Sequence, residues 1–125
     1  MSTAITVIQV LLALLFTSGG AFKLVLPYAK FKTIPGQAWS NDFKPEHVRL
    51  IGVLELGAAV GMFASLFLNS LALLTPFAAI GMALVMAGAM ATHLRRSEYV
   101  NMIGNLMWLG LALVVAYGAL TGFSV

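Results

Sequence analysis

Apolar side chains fill four long stretches of the chain, from about Ala4 to Leu26, Val48 to Leu68, Leu71 to Thr92 and Val100 to Phe123. Each approaches the ~20 residues that a helix needs to cross ~30 Å of hydrocarbon. The stretches are apolar on every face, whereas the strands of a membrane barrel alternate in polarity over segments of ~10 residues. The pattern therefore predicts an all-α fold, a transmembrane up-down four-helix bundle that occupies residues 1–125 as one domain. The first stretch exceeds the ~7–15-residue core of a secretory signal, and no Lys or Arg precedes it, so it is expected to remain as a span. Polar residues gather in the connections. The longest, residues 27–47, carries the turn pair Pro35-Gly36 and then Trp39, Asp42 and Phe43. Tyr28, Trp39 and Phe43 suit the headgroup level. This connection is expected to be partly ordered and to fold back over the bundle.

Charge then orients the bundle. Lys23, Lys30, Lys32, Lys44 and Arg49 flank or occupy the first connection, and Arg95 and Arg96 lie in the third, residues 93–99. The second connection, around Asn69 and Ser70, is uncharged, as are the side chains of both tails. In an up-down bundle the first and third connections share a side, so all 7 basic residues fall together. The positive-inside rule makes that side cytoplasmic and puts both termini outside.

Composition agrees with lipid as the solvent: 61% of residues are hydrophobic, 9% are charged, and the mean hydropathy is +0.99. A soluble domain averages about a quarter charged residues. The net charge of +3 and pI near 9.6 reflect basic residues beside anionic headgroups, with membrane lipid rather than nucleic acid as the partner. The absence of cysteine excludes disulfides, thiolate nucleophiles and Cys-ligated metal or iron–sulfur sites. His93 and His47 alone make a poor metal site, and no metal is expected.

A few polar residues interrupt the oily stretches. Glu55 lies roughly 10 Å below the loop-side end of the second span, where a carboxylate needs a partner or a proton. Lys23, near the end of the first span, can snorkel to the headgroups or turn inward to Glu55. Arg49 suits an interfacial anchor or a ligand contact. His93 closes the third span and can either cap it or hydrogen-bond a ligand. Asn101, Asn105 and Trp108, at i, i+4 and i+7, share one face of the fourth span, suited to interhelical bonding or to lining a pocket. Met82, Met86 and Met90 form a stripe on the third span, for packing or for an adaptable wall. Gly57/Gly61 and Gly118/Gly122 have the spacing that lets helix backbones approach closely. Lys23, Glu55, His93, Asn105 and Trp108 come from four spans at similar depth. Their coincidence predicts a polar cavity in the cytoplasmic half, joined by Trp39, Arg49, Met86, Met90 and Asn101.

Gly19-Gly20-Ala21-Phe22-Lys23-Leu24, Trp39 with Asp42-Phe43, Val48 through Gly57, His93-Leu94-Arg95-Arg96 and Ala116-Tyr117-Gly118 together resemble the DoxX-like family. These are small four-helix bacterial membrane proteins. The resemblance implies an inner-membrane location and an association with quinone-linked redox systems. Quinone is accordingly the candidate cofactor or ligand, and a homo-oligomer or a redox protein the candidate partner. The leading expectation is a membrane protein that binds a small lipophilic molecule in the cavity. Two alternatives stay open. One is a membrane enzyme of isomerase or hydrolase type, with Glu55 and His93 as its catalytic acid/base pair. The other is a structural or assembly subunit whose polar cluster only locks the bundle.

Overall fold

The computed structural model describes residues 2–123. Four long helices dominate it: α1 (Thr3–Val25), α3 (Pro45–Phe67), α4 (Leu74–Arg95) and α5 (Tyr99–Thr121). A short α2 (Tyr28–Phe31) and a 3₁₀ turn (Ala38–Asp42) lie in the first connection, and another 3₁₀ turn (Asn69–Leu71) lies in the second. Each long helix is long and apolar enough to cross a membrane. The protein is a multi-pass membrane protein.

Local chemistry sets the helix ends. Ser2 caps α1 by accepting a 3.3 Å bond from Ile5 N–H. Pro45 at the first position of α3, with Glu46 in its first turn, starts that helix three residues before the hydrophobic run at Val48. The 3₁₀ turn delays α4 to Leu74. At its far end α4 continues past Thr92 to Arg95 and closes in a Schellman motif: Ser97 takes φ +57°, Ser97 N–H bonds Leu94 O, and Glu98 N–H bonds His93 O at 2.8 Å. Gly122, at φ +75°, ends α5.

The helices pack mainly as two pairs, α1 with α3 and α4 with α5; α3 joins them through α4, and α1 meets α5 along a smaller contact. The close crossing is made by Gly20 and Gly52. A Cβ on Gly20 would stand 2.7 Å from Gly52 O, and one on Gly52 would stand 2.9 Å from Lys23 Cβ. Of the four glycines expected to do this, only Gly118 makes a tight helix contact, against a side chain rather than a backbone. Gly57 faces open space, Gly61 meets Ala78 at ordinary distance, Gly118 packs on Ile5 of α1, and Gly122 is the cap.

Packing is uneven along the bundle axis. In the half remote from the basic connections, Ile5, Leu12, Met62, Met82 and Val115 are fully buried in one continuous core. Phe67, Phe77 and Leu84 on the outer faces are largely exposed, as lipid-facing side chains are. Arg96 Nη1 donates to Asp42 Oδ1 at 2.9 Å and ties the third connection to the first. The two basic connections therefore meet at one end of the bundle.

Candidate functional site

The other half of the bundle is hollow. A half-enclosed cavity of about 610 Å³ lies between α1, α3, α4 and α5, roofed by residues Gly36 to Phe43 of the first connection. That volume lies within the ~300–1,000 Å³ of small-molecule sites.

One wall carries an ion pair. Lys23 Nζ lies 2.7 Å from Glu55 Oε1, and both side chains are nearly inaccessible. Lys23 turns inward instead of snorkelling. Glycine makes room for the carboxylate: a Cβ at Gly19 would stand 2.7 Å from Glu55 Oε2. The ammonium also lies 5.7 Å from the Trp39 ring centroid and 5.8 Å from that of Phe31, within cation–π range. Two charges at this depth are tolerable because each supplies the other's counter-charge.

The roof is an aromatic cluster. Trp39 packs edge-on against Phe31 and Phe43, with centroids 6.1 and 5.6 Å apart. Its indole N–H donates to Gln37 Oε1 at 2.8 Å. The Tyr28 hydroxyl, 2.9 Å from both Ser40 O and Phe43 O, holds the segment in place. Trp39 thus serves as a lid that Lys23 supports from below.

On the opposite wall, Asn101, Asn105 and Trp108 all line the cavity from α5, as their spacing requires. Among the described residues, none bonds to their side-chain polar atoms. His93 lines the cavity from the last turn of α4, and its Nδ1 lies 2.8 Å from Glu98 Oε1. Glu98 also accepts from Arg96 Nε at 3.2 Å. Its bond to His93, aided by Arg96, holds the Glu98 carboxyl below the ordinary carboxylate range despite partial burial.

Of the residues expected at the site, Lys23, Trp39, Glu55, Met86, His93, Asn101, Asn105 and Trp108 line this cavity; Arg49 and Met90 do not. Arg49 is six residues from Glu55, about 120° around the same helix, and is exposed. The methionine stripe drifts by about 40° at each four-residue step, so Met82 is core, Met86 bridges core and cavity, and Met90 has rotated off the wall. No group of three or more His, Cys, Asp or Glu comes together among the described residues.

The DoxX-like family matches residues 7–116, nearly the whole bundle. The chain belongs to the DoxX-like family. No curated protein and no solved structure matches it. Several polar groups of this DoxX-like protein carry no signal in the sequence pattern. Gln37 and Glu98 lie in polar connections, where such residues are ordinary. A second cluster lies in the solid half, where the buried Gln9 Nε2 donates to Met62 O and Ser65 Oγ, both at 3.0 Å, and Thr75 Oγ1 donates to Ser65 Oγ at 2.6 Å. A glutamine in the middle of an apolar run was the available signal for it.

Proposed function

We propose that this DoxX-like protein binds a small lipophilic molecule with a polar head in the loop-side cavity, in the cytoplasmic half of a bacterial inner membrane. The supporting observation is a ligand-sized hollow in an otherwise filled bundle, bordered by the buried Lys23–Glu55 pair and by unpartnered amides of Asn101 and Asn105. Leu15, Phe16, Ile51, Val85, Met86 and the aromatic lid offer the apolar part of such a molecule its surface. The amides and the Trp108 indole offer its polar end directional hydrogen bonds. An assembly subunit has no need of this space. A quinone head and tail fit the description, and the resemblance to proteins of quinone-linked systems supports a role in a membrane redox system.

Organic extraction of the purified protein followed by mass spectrometry tests this reading, and a co-purifying lipophile is the expected result. Gly104 lines the cavity, and an added Cβ there meets no atom within 4 Å. Gly104→Leu should therefore expel the lipophile while the bundle stays folded. Glu55→Gln should weaken retention as well. Recovery of no lipophile from the wild type, with no response to an added quinone such as menadione, would overturn the reading.

Glu55 and His93 line the same cavity, as an acid/base pair on a hydrophobic substrate would. Each is engaged by a different partner, Lys23 and Glu98, which favours binding over proton exchange between them.

A further inference from the structure

Glu98 sits beside His93 because of how α4 ends. The left-handed Ser97 reverses the chain, and the 2.8 Å bond from Glu98 N–H to His93 O brings the carboxylate back over the imidazole. Arg96 holds it there and is itself tied to Asp42 of the lid. The charged groups around this end of the cavity are thus Glu98, Arg96 and Asp42, with the Lys23–Glu55 pair on the facing wall.

An ionised carboxylate has acceptors and no donors. Paired with Arg96, and with an ordinary value of 4.5, the Glu98 carboxyl is ionised at neutral pH. The 2.8 Å contact is therefore a hydrogen bond donated by Nδ1–H of His93. In the neutral imidazole, which has one N–H, this leaves Nε2 as a bare acceptor. Among the described residues no side chain engages Nε2, although His93 is only 7% exposed and lines the cavity.

We propose that His93 Nε2 accepts a hydrogen bond from a hydroxyl of the bound molecule, with Glu98 as the positioning residue that fixes the imidazole tautomer. The inference rests on the cavity being a ligand site. The site then selects apolar molecules that carry an O–H donor, such as phenols, over ethers of the same shape. The Asn101 and Asn105 amides both donate and accept, and the Trp108 indole only donates. Glu55, held by Lys23 through Oε1, keeps Oε2 as a second acceptor on the facing wall, so loss of the preference in His93→Leu is what assigns it to the imidazole.

The chain has two tryptophans, Trp39 and Trp108, and both line the cavity, so intrinsic fluorescence reads its occupancy. The experiment titrates delipidated protein in detergent with para-octylphenol and with its methyl ether, para-octylanisole. The wild type should bind the phenol about tenfold more tightly, the scale of one hydrogen bond to a buried acceptor. His93→Leu should erase that ratio and leave ether affinity in place. Glu98→Gln should shrink the ratio, because an amide can donate to Nδ1 and move the imidazole proton to Nε2. A purely structural role for Glu98 would lower stability without moving the ratio. Equal binding of both probes to the wild type, or a preference that survives His93→Leu, overturns this inference and leaves the cavity a ligand site. Absence of any response to either probe, together with an extract free of lipophiles, overturns both readings.

Discussion

Lys23 and Glu55 would each be costly alone in hydrocarbon, and their 2.7 Å contact makes them tolerable together. Lys23→Met should strand the carboxylate and cost about 3–5 kcal/mol, as breaking a buried pair does. The double change Lys23→Met with Glu55→Gln should recover most of that loss, and thermal denaturation in detergent compares the three proteins. Glu98 gives a second prediction at this scale. Its carboxyl lies below its ordinary value of 4.5 in the folded protein. Its contribution is therefore complete above that value and is lost as pH falls through the lowered one. Acid titration should loosen the His93–Glu98–Arg96 contact in the wild type and have a smaller effect on Glu98→Gln, read by hydrogen exchange at the start of α5. The importance of Glu55 was legible in the sequence because an acid in an apolar run demands an explanation. That of Glu98 was not, because its meeting with His93 depends on one left-handed residue, Ser97, that local composition does not advertise.

Among the helices, the four spans and their order followed from hydrophobic run length, and only their ends shifted, where Pro45 and the second 3₁₀ turn intervene. Helix contacts were harder to read, since many glycines in an oily chain have similar spacing. Space distinguishes them. Gly20→Ala meets backbone oxygen at 2.7 Å and should cost about 1–3 kcal/mol by forcing α1 from α3. Gly57→Ala meets nothing within 4 Å and should be neutral or stabilise by about 0.5–1 kcal/mol, since Ala is the better helix former. Chemical denaturation of both variants checks the contrast. The Met stripe shows the same limit from the other side: a four-residue spacing looks like a face over one step and leaves it over two.

At the scale of the molecule, charge placement on the chain and the Arg96–Asp42 contact agree that the first and third connections share one end. The cysteine-free sequence allows a clean test of which side that is. Single cysteines at Thr33 and Arg95 should react with a membrane-impermeant maleimide only from the cytoplasmic side, and one at Asn69 only from outside. The hollow itself was foreseen from polar residues at matching depth. The fold-back of the first connection and the place of Trp39 at the cavity were expected too, but not the edge-on packing of Trp39 between Phe31 and Phe43. The solid half has a separate consequence. With Ile5, Leu12, Met62, Met82 and Val115 sealed together, the recess is a cul-de-sac rather than a thoroughfare. On the proposed reading, a guest leaves by the mouth it came in through, and one copy of this chain is expected to exchange it with a single leaflet.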